Sequence, residues 1–393
     1  MVDLYSKRYI LQTIFFHFGL GCVLFSSAFF TTVVCRFNSA TTTKVLLLVC
    51  STVGCVFVLE FGIRVSGSYY TSLENCSNGA YHSFLRQEQR DSWYWTRPPD
   101  TTLNFLREEF KFVRATNSLG LSERDFQTQK MGLRIIGLGD SFTEGTGVPQ
   151  DSTWLRRVES KLLQMSPELL TETINAGIGG SDPVYEYQLL ADQLLKYKPD
   201  IVILSINSSD LSEIGYRGGF ERFNEDGSSG RAAPNWEWIY QQSHIVRMVA
   251  HNGFKLNHYL ISEKEASIGR DTALVHIKKV IEKLVKLGDS NQFKTLVVLH
   301  PIEADFGTQG YINHQIVELN NYLSSSSVNH LDMLQCFNAL GITNEDLSKD
   351  YYWPLDQHFN QRGYDVYGDC VTDALIEIMK EDPNFFETKS IPK

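Results

Sequence analysis

Two apolar runs dominate the start of the chain. Residues 10–34 contain no Asp, Glu, Lys or Arg and are rich in Phe, Leu and Val, while residues 45–59 form a second run that Phe61, Gly62 and Ile63 extend. A helix needs about 20 residues to cross a hydrocarbon core of ~30 Å. The pattern therefore predicts a hairpin of two transmembrane helices, about 10–35 and 45–63, with Glu60 and Arg64 paired four residues apart at the interfacial end of the second. The first run is longer than a typical signal core and has no clear small-residue cleavage site after it. Lys7 and Arg8, Arg36 and Lys44, and Arg64 spread the positive charge almost evenly, so the charge rule does not orient the spans.

After a connecting segment, residues 66–130, the pattern changes to repeated strand and helix units over residues 131–385. Buried strands are predicted at "LRIIGLG", "ETINAGIGG", "PDIVILSI" and "KTLVVLHP". Helical stretches are predicted at residues 151–165, 183–198, 271–287, 310–323 and 363–379. Alternating apolar strands and helices predict an α/β fold, three-layer α/β/α and flavodoxin-like, with a mainly parallel sheet. The connecting segment carries one alternating stretch, Phe110, Phe112 and Arg114, that reads as a short strand ending in a turn at residues 117–120. Trp93 and Trp95 read as packing or membrane-interface residues rather than a glycan platform. Residues 215–234 read as a loop or lid.

Composition narrows the function. The chain has 393 residues, 42% of them hydrophobic, and a net charge of −10, which argues against a nucleic-acid partner. Seven cysteines, four of them (Cys22, Cys35, Cys50 and Cys55) in apolar surroundings, suggest neither a disulfide framework nor a zinc site. No metal or organic cofactor is implied.

Ligands of parallel α/β sheets bind beyond the carboxyl ends of the strands. Four blocks fall there in order: "GDSFTEG" at residues 139–145, "NAGIGGSD" at 175–182, "INSSDL" at 206–211 and "DQHFNQRGY" at 356–364. Together they resemble the SGNH/GDSL hydrolase family. "LEFGIR" and "NSLGLSERDF" upstream look like the lead-in of its membrane-anchored bacterial members, so the resemblance runs from about residue 45 to 379. The chemistry fits Ser141 as the candidate nucleophile and His358, set apart from the other nine histidines by its place in the "DQHFN" block, as its general base, with Asp356 two residues away to hold the imidazole. In the better-known family pattern that aspartate stands three residues before the histidine, where this chain has Leu355. The resemblance implies an oxyanion hole from the Ser141 and Gly180 N–H groups and an asparagine side chain. Ungapped alignment puts Ser209 in the asparagine position, leaving either Asn207 or Ser209 as third donor, with Asn207 slightly favoured and a weakened hole as the remaining alternative. Asp140 and His300 are candidate substrate contacts, Asp210 a structural residue, and Asn75 and Asn207 lie in glycosylation sequons.

Three functions fit this reading. One is a membrane-anchored serine esterase or deacylase on an O-acylated, first of all O-acetylated, glycan or lipid. The second is an O-acyltransferase passing the acyl group to a sugar hydroxyl. The third is a non-catalytic binding or assembly module on the same fold. The resemblance also implies an extracytoplasmic catalytic domain.

Overall fold

The computed structural model describes residues 40–66, 96–126, 128–223, 236, 239–240, 243–257, 260–307 and 310–381. The first predicted span, Asn75, Trp93, Trp95 and most of the predicted lid lie outside the described residues. The chain divides into two compact units, one of residues 1–91 and 225–266, the other of residues 92–224 and 267–393.

In the first unit, helix α1 (Ala40–Val65) contains the second predicted span, and its stretch Leu47–Val65 is long and apolar enough to cross a membrane. Val45, Leu47, Leu48, Val56, Val58 and Phe61 are all exposed along it. The expected pair of Glu60 and Arg64 is present at 3.1 Å. Glu60 does more than that pairing: it is buried and accepts hydrogen bonds from Ser243 Oγ and from the His244 and Ile245 N–H groups. Those two N–H groups open a short helix, His244–Met248, and a carboxylate there satisfies donors that the helix itself leaves unpaired.

The second unit begins with an antiparallel hairpin, β1 (Thr102–Leu106) and β2 (Lys111–Ala115). The α/β body follows. Strand β3 (Arg134–Leu138) leads into the one-turn helix α2 (Ser141–Glu144) and then α3 (Trp154–Met165). Strand β4 (Glu172–Asn175) leads to α4 (Pro183–Leu189), and β5 (Ile201–Ile206) to α5 (Ser208–Arg217). The long α6 (Glu263–Asn291) precedes β6 (Lys294–Leu299) and a two-residue hairpin, β7 (Phe306–Gly307) with β8 (Gly310–Tyr311). Helix α7 (His314–Ser325), β9 (His330–Asp332), α8 (Met333–Ala339), α9 (Asn344–Asp350) and α10 (Gln361–Lys380) complete it.

The sheet runs β4-β3-β5-β6-β9, with each adjacent pair parallel. Both faces of β3 and β5 are buried, as their unbroken apolar sequences require. Leu155, Trp154, Tyr367 and Val371 from α3 and α10 pack onto one face, where the rings of Trp154 and Tyr367 are 4.9 Å apart. This strand order reverses direction between β3 and β5, the switch point at which such sheets bind ligands. The loops carrying Ser141 and Asn207 leave the sheet there.

One covalent feature departs from the sequence reading. Cys336 on α8 is disulfide-bonded to Cys370 on α10, although the cysteine pattern predicted no bridge. A single pair 34 residues apart leaves no spacing signature to read.

Candidate active site

Ser141 is the first residue of α2, directly after its N-cap, Asp140. Its Oγ lies 2.7 Å from His358 Nε2, and His358 Nδ1 lies 2.6 Å from Asp356 Oδ1. A carboxylate only accepts, so the Nδ1 hydrogen points to Asp356 and leaves the Nε2 lone pair facing the serine hydroxyl. Half-burial would push the Asp356 carboxyl up. The hydrogen bond and charge of His358, with Arg107 beside it, instead hold it below the usual range, so it stays ionised.

Asp356 and His358 reach one another across two residues because Gln357 between them adopts a left-handed conformation, with φ 65°. The loop around them is tied down. Trp353 donates its N–H to the His358 carbonyl, and Asn360 donates its side-chain amide to the Asp350 and Tyr352 carbonyls while capping α10.

The glycine block lies beside the serine. A Cβ on Gly179 would stand 3.7 Å from Ser141 Cβ and closer still to Glu144 Oε2. Gly180 has a left-handed φ of 76° and open space where a Cβ would point. Among the described residues, no acceptor takes the N–H of Ser141 or of Gly180. Glu144 fixes this corner. Its buried carboxylate accepts the Gly179 N–H at 3.0 Å and a two-point ion pair from Arg97, at 2.5 and 2.8 Å. Burial would raise the Glu144 carboxyl, but Arg97 and then Arg114 hold it below its ordinary value.

The other predicted residues point inward. Asp140 Oδ1 accepts the Phe142 N–H, and Oδ2 accepts from Asn207 Nδ2 at 3.0 Å and Ser209 Oγ at 3.3 Å. Asn207 Nδ2 also lies 3.2 Å from His300 Nε2, and its Oδ1 accepts from the Ser209 N–H and hydroxyl. Since the amide nitrogen only donates, His300 Nε2 accepts and the ring is neutral, with Nδ1 toward the Pro301 carbonyl. Both amide hydrogens of Asn207 are thereby used inside the protein. The favoured third donor is not presented to an oxyanion, and Ser209 is engaged in the same network. Asp140 and His300 are likewise buried, at 5% and 0% exposure, rather than substrate contacts. Asn207 is also fully buried, which excludes its sequon from use.

Behind this network lies a carboxyl cluster that sequence reasoning resolved only in part. Asp210 accepts the Asn207 N–H in a reciprocal cap of α5, as a structural residue should. Glu186 accepts from Ser181 Oγ, which also bonds the Gly139 carbonyl. Burial, with the Asp140 charge nearby, raises the Asp210 and Glu186 carboxyls well above their ordinary values. Asp182 differs. Arg222 and Arg217 outweigh its burial and keep it ionised.

The sequence profile of the GDSL-like lipase/acylhydrolase family matches residues 138–366, more than half of the chain. The chain belongs to this family. With the formed Ser–His–Asp series, it is a serine hydrolase of ester bonds. Solved structures similar to this chain include a G-D-S-L family lipolytic protein from Desulfitobacterium hafniense, 15% identical, covering 61% of this chain and 98% of that one, with a TM-score of 0.37. An acetylxylan esterase from Geobacillus stearothermophilus is 12% identical, over 63% of this chain and 96% of its own, with a TM-score of 0.39. The acetyl xylan esterase AlAXEase is 18% identical, over 63% and 99%, with a TM-score of 0.36. No curated protein matches the chain at a significant level.

Proposed function

We propose that this protein is a membrane-anchored serine esterase that deacylates an O-acylated glycan or lipid through a covalent acyl-Ser141 intermediate. The observation that carries the reading is the continuous line from Ser141 Oγ through His358 to an ionised Asp356. His358 Nε2 takes the hydroxyl proton as Oγ attacks the ester carbonyl, and Asp356 stabilises the resulting imidazolium. The tetrahedral oxyanion is received by the unengaged N–H groups of Ser141 and Gly180, each worth about 3 kcal/mol of barrier where such donors have been removed. Collapse expels the alcohol, protonated by His358, and leaves acyl-Ser141. Water, deprotonated by the same imidazole, releases the acid and restores the serine.

The formed series weighs against a non-catalytic module. An O-acyltransferase shares every step up to the acyl-enzyme and differs only in which hydroxyl enters second. Anchoring rests on α1, and the two-span hairpin on the sequence of residues 10–34. An extracytoplasmic catalytic domain is supported by the Cys336–Cys370 disulfide, because such bonds persist in oxidising compartments.

Detergent-solubilised full-length protein offered aryl acetate, butyrate, octanoate and acetylated oligosaccharides is expected to turn over the acetyl esters fastest and to release free acid. Ser141→Ala should lose at least 10³-fold in kcat. Equal turnover by Ser141→Ala contradicts the assignment, and acetylated acceptor in place of free acetate selects the transferase.

A further inference from the structure

The β1–β2 hairpin precedes the segment matched by the family profile, yet its tip reaches the catalytic loop. The turn is closed by the Arg107 N–H on the Phe110 carbonyl at 2.9 Å. From it, the Glu109 carboxylate accepts the Leu355 N–H at 3.0 Å and the Asp356 N–H at 2.8 Å. Arg107 Nε stands 3.7 Å from Asp356 Oδ2, the oxygen not used by His358. The hairpin is seated by Phe110, 5.5 Å from the ring of Trp353, which itself donates to the Gly147 carbonyl. Arg114, buried in β2, donates to the carbonyls of Glu144, Gly145 and Val148, directly after the nucleophile turn.

We propose that the hairpin tip is a positioning element of the catalytic machinery, in which Glu109 fixes the backbone of the Asp356 loop and Arg107 sets the proton affinity of the Asp356–His358 pair. This rests on the serine-esterase reading above. Two backbone N–H groups on one carboxylate leave the loop little freedom, so Asp356 meets Nδ1 at one geometry. Arg107 acts by charge. Its guanidinium attracts the Asp356 carboxylate and repels a protonated His358, so both effects make the imidazole less basic. The other groups near the pair are Ser141 from the nucleophile turn, His300 from the end of β6 and Tyr364 from α10, with the Asp140 carboxylate behind them beside His300 and Tyr364. None of these is a cation at neutral pH, whereas Arg107 is, and it is half-exposed and therefore replaceable without opening the core.

The test is the rate of inactivation by a fluorophosphonate across pH 5 to 9, on full-length protein in detergent, for wild type, Arg107→Ala, Glu109→Ala and Glu109→Gln. Arg107→Ala is expected to move the acid limb up by about half a pH unit, a shift that ~1 M salt collapses. Glu109→Ala should lower the plateau at least tenfold, and Glu109→Gln, which keeps an acceptor oxygen, should recover most of it. An Arg107→Ala profile superimposed on wild type at low salt overturns the charge role, even if Glu109→Ala fails to fold. A full plateau in folded Glu109→Ala overturns the positioning role. Wild type that is never inactivated overturns instead the serine-esterase reading on which both depend.

Discussion

His300 shows how one side chain behind the nucleophile couples the blocks of the site. Full burial lowers its pKa to about 4, with the Asp140 carboxylate only partly offsetting the loss of solvent. The neutral ring accepts from Asn207, which holds Asp140, which in turn caps the turn carrying Ser141. Between pH 6.5 and about 4 the unfolded chain protonates this histidine and the folded one does not. The unfolded state then binds more protons, so stability is lost as the pH drops from 6.5 towards 4, by an amount on the order of 3 kcal/mol. Urea midpoints at pH 7 and 4.5 check this: wild type should lose markedly more stability than His300→Gln, whose amide oxygen still accepts from Asn207. Equal losses would show that His300 does not carry the effect. At this scale residue type and strand-end position single out Ser141, and the structure sets it beside His358 and Asp356, which come from the loop between α9 and α10. The direction of Asn207 was not legible, because nothing in "INSSDL" says whether its amide faces the crevice or Asp140.

Among the elements, the long strands were legible because parallel strands buried on both faces are continuous apolar runs, as in β5 and β6. Strand β9 was missed. It has three residues, "HLD", with no run to detect. Helix α5 was missed because "SSDLSEIGYR" starts on capping residues and reads as a loop. The alternation at Phe110 and Phe112 revealed β2, but the Glu109 contact to Asp356 spans 247 residues of sequence, and no local pattern encodes it. The Asp356–His358 spacing depends on the loop conformation at Gln357. A β-branched side chain at φ 65° is strained by about 1–2 kcal/mol or more, whereas glycine is not. Gln357→Gly should therefore keep kcat/KM near wild type while Gln357→Val loses about tenfold. Equal rates in the two variants would mean that this backbone turn does not set the geometry of the pair.

For the molecule as a whole, composition separates an apolar N-terminal part from an α/β body, whereas the compact units of the structure are residues 1–91 with 225–266 and residues 92–224 with 267–393. The sequence did not disclose that residues 225–266 group with the N-terminal part, where Glu60 of α1 caps the helix at His244. Composition is silent on such long-range partnership, as it was on the Cys336–Cys370 bond. The family membership and the site share one central claim, that Ser141 is a nucleophile made reactive by His358. Mass mapping of the fluorophosphonate adduct on folded wild-type protein tests it most directly. One equivalent is expected on Ser141, within the tryptic peptide 135–156, and no adduct on His358→Ala or Ser141→Ala at the same exposure. Folded wild-type protein that acquires no adduct, or carries it on another serine, would contradict the claim.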